Sequence, residues 1–116
     1  MEVKNFMCYE ILELLYQLGV TANYRGFRYI VTAVELILED PQRLLAVTKD
    51  LYPDVAKRCK TTSSGVERNI RTAIRAAWSH NPQLVMELMR YPLNSPPTTS
   101  QMLACLAARI DRDRSR

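Results

Sequence analysis

The sequence has 116 residues, a length typical of one compact domain and too short for two ordinary ones. Hydrophobic residues make up 47% of it and charged residues 24%, a balance that excludes a disordered or collagen-like chain. Sixteen Lys and Arg against twelve Asp and Glu give a net charge of +4, which suits a polyanionic partner only where the positive groups cluster. No apolar run approaches the roughly 20 residues that span a bilayer, and no secretory signal pattern is present. We therefore expect a cytoplasmic protein without a membrane-embedded part.

Apolar residues at helical spacing predict the first elements in chain order. Segment 2–18 reads as a helix that stops at Gly19, which can take the left-handed conformation that closes a helix. Segment 25–39 repeats apolar residues along one stripe, and its other face is mostly polar. Asp40 is placed to cap a short third helix, from Pro41 to about residue 51.

Four further helices are predicted in the second half of the chain. One of barely two turns begins at Tyr52-Pro53-Asp54, and a longer one runs from Ser63 or Ser64 to about Ser79. Another begins at Asn81-Pro82, and residues 91–97 read as a loop. Thr98 or Thr99 is expected to cap the last helix, which should fray over residues 111–116 because these have no apolar face. No strand pattern occurs, so the predicted fold class is all-α.

The cysteines and the histidine point to neither a metal centre nor an enzyme. Cys8, Cys59 and Cys105 are far apart, form no C-x-x-C pair and have only His80 as an imidazole partner. Each cysteine lies in an apolar segment, where a buried thiol behaves as a small hydrophobe. His80 has no catalytic arrangement around it in sequence and is expected at a helix end or in solvent. We expect no metal, no cofactor and no catalytic residue.

Residues 54–78 have the layout of a helix-turn-helix. A short helix with the small Ala56 facing inward is followed by a brief polar turn and a longer amphipathic helix. At about 100° per residue, five apolar residues of the second helix share one arc, the predicted core face: Val66, Ile70, Ala73, Ile74 and Ala77. Polar residues share the opposite arc, and Glu67 lies between the two: Ser64, Arg68, Arg71, Thr72 and Arg75. Trp78 follows the core arc and is expected to pack there.

This distribution is what insertion into a DNA major groove requires. Arginine can donate two parallel hydrogen bonds to guanine O6 and N7, while hydroxyls and further arginines hold phosphates. Lys57, Arg58 and Lys60 precede the turn, so residues 54–78 carry six basic residues against two acidic ones. The predicted recognition helix is 63–78, with Lys57 and Lys60 added to the DNA-binding residues. The competing interpretation is that the arginine-rich face is only a solvated surface.

The segments YPDVAKR (52–58) and TTSSGVERNIRTAIRAAW (61–78) closely resemble the effector domain of the stage-zero sporulation response regulator family. The segments LGV (18–20), RGFRY (25–29) and PTTSQM (97–102) extend the resemblance from about Ile11 to Ile110. It implies a compact six-helix domain that binds a short promoter element resembling TGTCGAA, often as tandem copies, and that activates or represses transcription. Residues 1–116 are then expected to form one such domain, with its motif at about 54–78.

The resemblance also assigns roles to individual residues. Glu67 and Arg68 match family residues that read bases, and Arg71 matches a basic residue at the DNA surface. The family commonly has arginine at the position of Gly65 and histidine at that of Thr72. The loop before the last helix, 94–97, is shorter than in the family and lacks its basic residues. We therefore expect the protein to read DNA, with weakened phosphate contacts and an altered preference for the family's element.

The family's full-length proteins carry an N-terminal phosphoacceptor receiver domain, and no such pattern precedes Met1. The sequence is then either an excised fragment or a stand-alone relative; a lone effector is expected to lack a phosphorylation switch. Its expected partners are double-stranded promoter DNA, a second copy as homodimer or in tandem, and RNA polymerase, at the nucleoid. The alternative from another class is a protein-interaction module that dimerises with, or antagonises, a full-length sporulation regulator.

Overall fold

The computed structural model describes the backbone of residues 2–114 and the side-chain environment of residues 9–113. Over this range it contains α-helices and no strand, which confirms the predicted all-α class and the six helices that the family resemblance implies. The helices are α1 (Glu2–Gln17), α2 (Arg25–Glu39), α3 (Tyr52–Cys59), α4 (Ser63–His80), α5 (Pro82–Met89) and α6 (Thr99–Arg114).

Gly19 ends α1 as predicted, and its conformation shows why. Gly19 has a φ of +81°, in the left-handed region. The backbone N–H of Val20 donates to the carbonyl of Leu15 at 2.8 Å, and that of Gly19 donates to the carbonyl of Tyr16 at 3.0 Å. These two bonds form a Schellman motif, which satisfies carbonyls that the end of a helix leaves open.

The predicted third helix, from Pro41 to about residue 51, is wrong as a single α-helix. Pro41–Leu45 forms a 3₁₀ turn, and Val47–Leu51 forms a wider π-type turn in which the carbonyl of Ala46 accepts from Leu51 N–H at 3.3 Å. Asp40 does cap the segment, since its side chain accepts from Gln42 N–H at 3.1 Å. An α-helix here would need an apolar stripe, but the 3₁₀ turn buries no residue.

Arg43 fastens this irregular segment to the helices on either side of it. Its guanidinium donates to the carbonyl of Leu36 at 2.6 Å and to the carboxylate of Asp54 at 3.1 Å. Leu36 belongs to the end of α2 and Asp54 to the first turn of α3. One side chain thus links α2, the 3₁₀ turn and the first turn of α3.

Helix α2 lies at the centre of the molecule, where α1, α3, α4 and α6 all pack against it. Nine of its fifteen residues are buried, including Thr32 and Glu35, which lie on the face predicted to be polar. Cys59 of α3 covers part of that face and contacts the Thr32 hydroxyl through its sulfur at 3.5 Å. The prediction of a single buried stripe was therefore too narrow, because periodicity cannot show that helices cover α2 on several sides.

The contact between α2 and α4 depends on Gly26. A Cβ atom at this position would lie 2.3 Å from the backbone carbonyl oxygen of Asn69 and 3.0 Å from the Cβ of Ala73. The first distance is far below van der Waals contact, and a backbone carbonyl cannot swing aside as a flexible side chain can. Only glycine lets α2 and α4 approach this closely.

The last helix begins with a reciprocal cap and continues further than predicted. The Thr98 side chain accepts from Gln101 N–H at 3.2 Å, and the Gln101 side chain accepts from Thr98 N–H at 2.9 Å. These bonds form a capping box. Helix α6 extends to Arg114, into the segment expected to fray, and Arg109 pairs with Asp113 at 3.3 Å. Fraying of this end in solution stays a prediction. Ser115 and Arg116 lie outside the described residues.

Two cysteines can be assessed in the structure. Cys59 is buried, as predicted, whereas Cys105 is half-buried with its sulfur 3.2 Å from that of Met89. The side chain of Cys8 lies outside the described residues. Among the described residues, no helix is both long enough and apolar enough to cross a membrane.

We expect Gly26→Ala to lower the free energy of unfolding by about 1–3 kcal/mol or more, because the added methyl must push α2 away from the Asn69 carbonyl. Urea or thermal unfolding measures this change. Gly65→Ala is the matched control, since its methyl would meet only side-chain hydroxyls, those of Thr62 at 3.0 Å and Thr61 at 3.4 Å, and no backbone atom. Equal effects of the two substitutions would contradict the role assigned to Gly26.

Candidate nucleic-acid interface

The segment from α3 to α4 is consistent with the predicted helix-turn-helix. Helix α3 ends at Cys59, and Lys60 follows in the left-handed conformation at φ 58° and ψ 52°. The turn then places Thr62 at the N-cap of α4, where its hydroxyl accepts from Gly65 N–H at 3.1 Å. The turn thus comprises Lys60, Thr61 and Thr62, which matches the three to four residues usual for this motif.

The two arcs predicted for the second helix are confirmed as the buried and solvent-facing sides of α4. The five residues of the apolar arc are all at most 2% exposed: Val66, Ile70, Ala73, Ile74 and Ala77. The five residues of the polar arc are all exposed: Ser64, Arg68, Arg71, Thr72 and Arg75. We call these last five residues the outer face of α4. The helix ends at His80, two residues beyond the predicted recognition segment.

Glu67 and Arg71 are bound to each other. The carboxylate of Glu67, at the edge of the outer face, accepts a hydrogen bond from the guanidinium of Arg71 one turn later. Both side chains remain partly accessible, at 37% and 45%. An i,i+4 pair of this polarity is worth only a few tenths of a kcal/mol on an exposed helix. The pair therefore mainly orients the two side chains. Arg71 keeps further N–H donors that this bond does not use.

The other predicted cations are not engaged in this way. Arg68, Arg75, Lys57 and Lys60 are exposed and form no ion pair with another described residue. Arg58 differs, since its guanidinium lies 3.9 Å from the carboxylate of Glu39. Four positive groups therefore lie uncompensated on α4 and on the end of α3 and the turn that precede it.

Thr72 uses its hydroxyl proton within the helix. The hydroxyl donates to the carbonyl of Arg68 at 3.1 Å. The oxygen still has a free lone pair, so in this conformation Thr72 can accept a hydrogen bond from a base but cannot donate to a phosphate. The predicted phosphate contact would require this internal bond to break.

Gly65 does not belong to the outer face. It is buried, and a Cβ placed on it would point at the hydroxyls of Thr62 and Thr61, at 3.0 and 3.4 Å. Its carbonyl accepts from the side chain of Asn69 at 2.7 Å. A side chain at position 65 would thus leave the helix towards the turn, and reaching DNA from there would need a long side chain.

A cleft of about 500 Å³ runs along one edge of the outer face, and sequence reasoning missed it. Glu67, Arg71 and Arg75 form the α4 wall, Tyr52 lies at its base, and residues 95–100 form the opposite wall. The shortened loop therefore lies beside the arginines of α4. Tyr52 and residues 97–102 belong to the segments that carry the family resemblance. That resemblance is the sequence signal from which the cleft could have been predicted.

The hydroxyl of Tyr52 links these elements. Tyr52 is 5% exposed. Burial raises the pKa of its phenol above 10.0; the negative charge of Glu67 also raises it, while a hydrogen bond with Thr99 and the charge of Arg71 act in the opposite direction. The folded protein therefore favours the neutral form of the Tyr52 phenol, which lies in the same cleft as the Glu67–Arg71 pair.

Trp78 and His80 occupy structural positions at the end of α4. Trp78 is partly buried against the hydrophobic core, as predicted. His80 is exposed in the last turn, as expected, and its ring lies so close to Gly19 that a Cβ there would come within 2.5 Å of it. The described residues contain no group of three or more His, Cys, Asp or Glu side chains placed to hold a metal ion.

Tyr52→Phe tests the buried phenol through the pH dependence of stability. Because the pKa is higher in the folded state, the stability that the phenol contributes is complete below pH 10.0 and declines as the pH rises through the folded-state pKa. We expect the wild type to lose stability relative to Tyr52→Phe above pH 10, as measured by urea unfolding at increasing pH. A constant difference across this range would contradict the burial of the phenol.

Comparison with known protein families gives this surface a context. Residues 11–110 match the model of the family described as "Sporulation initiation factor Spo0A C terminal". The match covers most of the chain, including α2–α5, the outer face of α4 and the cleft beside it. That family consists of DNA-binding regulatory domains of sporulation transcription factors and is not an enzyme family. The chain belongs to the family of C-terminal DNA-binding effector domains of the sporulation initiation factor Spo0A.

Proposed function

We propose that this protein is a sequence-specific transcription regulator that inserts α4 into the major groove of promoter DNA. The observation that supports this most is the outer face of α4, where Arg68 and Arg75 project into solvent without an acidic partner among the described residues. Such cations can bind phosphates or guanine edges without first breaking an ion pair within the protein. Family membership supports the same direction.

Each residue has a distinct role in this proposal. Arg68, near the centre of the outer face, donates to guanine O6 and N7. Glu67 accepts from cytosine N4 with one carboxylate oxygen, while its bond to Arg71 holds the carboxylate in place. Arg75 and Ser64, near the two ends of the outer face, and Lys57 and Lys60, beside the turn, bind phosphates and set the register.

The surface also supports a DNA preference that differs from the family's. Thr72 offers only an acceptor in the conformation described, and Gly65 has no side chain with which to reach DNA from the turn. The loop at 94–97 contributes no cation to the cleft beside Arg71 and Arg75. Discrimination then depends mainly on Glu67, Arg68 and Arg71.

The wider setting belongs to the same proposal. Residues 1–116 act as one effector domain, and two copies bind promoter DNA as a homodimer or in tandem. Contact with RNA polymerase would then convert binding into activation or repression at the nucleoid.

Arg68→Ala should abolish the preference for duplexes that contain the element TGTCGAA or a selected variant of it. Loss of one bidentate base contact costs about 1–3 kcal/mol of discrimination. Fluorescence anisotropy with specific and scrambled duplexes measures the ratio of affinities. Arg112→Ala is the matched control, because Arg112 is exposed thirteen residues beyond Thr99 on α6, roughly 20 Å from the cleft.

Lys60→Ala should weaken binding to all duplexes alike and reduce the slope of log K against log salt by about one. The reason is that a phosphate contact releases counterions but carries no sequence information. Equal, feeble affinity of the wild type for every duplex would contradict the DNA-reading proposal. Binding to a full-length sporulation regulator in that case would favour the interaction-module alternative.

A further inference from the structure

A second surface lies on the opposite side of α2 from the DNA-facing helix. A groove of about 580 Å³ opens between α1 and the first half of α2. Apolar and aromatic side chains line it, among them Leu12, Tyr24, Phe27 and Val31, together with two arginines, Arg25 and Arg28. Both arginines are exposed and form no ion pair with another described residue. The groove thus combines an apolar and aromatic lining with two uncompensated positive charges.

A ridge of α1, formed by Tyr9, Glu13 and Tyr16, lies between this groove and a cleft beside α6, and Tyr9 and Glu13 line that cleft. Tyr9 and Tyr16 lie seven residues apart, two turns of one helix face, and are 72% and 51% exposed. Tyr16 also stacks on Phe27, with ring centroids 5.9 Å apart, so the ridge and the groove wall are continuous. Glu13 lies between the two tyrosines, is exposed and forms no ion pair with another described residue. The ridge is therefore aromatic and carries one uncompensated negative charge.

The ridge and the groove carry opposite charges. An exposed aromatic ridge with the Glu13 carboxylate lies next to a groove lined by aromatic side chains and two guanidinium groups. Because each copy carries both the ridge and the groove, two copies related by a two-fold axis can form the same ridge-to-groove contact twice. This is the arrangement of an isologous dimer. The ridge of one copy then enters the groove of the other, and the reverse.

We propose that this protein forms a symmetric dimer through the α1 ridge and the α1–α2 groove, with Glu13 of each copy paired with Arg28 of the other. The tyrosines of the ridge fill the partner's groove, and the two ion pairs fix the register. The proposal rests on the two-copy arrangement proposed above and names its interface. It is tested without DNA, so its failure and the failure of DNA binding are distinguishable.

The geometry of α2 leaves the DNA-facing surface free in this dimer. Gly26 faces α4, whereas Phe27, Arg28 and Val31 lie roughly 100° to 200° around α2 from Gly26. The groove therefore opens away from α4, and the outer faces of both copies remain accessible. A dimer of this kind presents two recognition helices at once.

Charge reversal tests the proposal with the whole chain in solution. Sedimentation equilibrium should show a concentration-dependent dimer for the wild type, and Glu13→Arg and Arg28→Glu should each raise the dissociation constant by on the order of tenfold or more. Each variant alone places like charges opposite one another at both ion-pair positions. Circular dichroism checks that both variants remain folded. Glu87→Arg, the same charge change on the exposed side of α5, is the matched control and should leave the constant unchanged.

An equimolar mixture of the two variants makes the test specific. In the mixed dimer one contact is the native Glu13–Arg28 pair and the other is its reversed counterpart, so dimerisation should return to near the wild-type level. Three results would overturn the proposal: a wild type that stays monomeric at millimolar concentration, single variants that dimerise as the wild type does, or a mixture that does not recover. The first of these would assign the groove to a partner of another kind, such as an acidic peptide.

Discussion

The close approach of α2 and α4 at Gly26 is the constraint on which the rest of the structure depends. Because no side chain intervenes, the backbone of α2 lies against the Asn69 carbonyl, and the apolar arc of α4 reaches the centre of the core. The position of α2 in turn determines those of α1, α3 and α6, which pack around it. A displacement of α4 by one methyl group would therefore be transmitted to every helix that shares α2.

This contact also determines how the outer face is presented. Helix α4 is held along its buried side by α2, at its start by the Thr62 cap, and one turn later by the Asn69–Gly65 hydrogen bond. Arg68 and Arg75 thus project from a rigid support, and the Glu67–Arg71 pair is oriented before any ligand arrives. Pre-organised groups lose less conformational entropy on binding, which favours discrimination between bases.

The two proposed surfaces use opposite sides of the same central helix. Gly26 of α2 supports the outer face of α4, while Phe27 and Arg28, the next two residues, line the groove beside α1. Since both surfaces share α2, a change in the packing of its first turn would affect both. Substitutions confined to exposed rim residues such as Arg28 should separate the two functions.

The sequence by itself determined the helices, because periodicity and caps are local properties. The arcs of α4, the left-handed Gly19 and the Thr98 cap were all predicted, and so were the exposed positions of Arg68, Arg71 and Arg75. Only the tertiary structure decided which remote residues come into contact. It buries α2 on several sides, brings the backbone at Gly26 against the Asn69 carbonyl, and places Tyr52 in one cleft with Glu67. It also replaced the predicted helix at 41–51 by two irregular turns, since Arg43 and the adjoining helices fix its path. Such distances between remote residues depend on how complete helices pack, and no local pattern in the sequence encodes them.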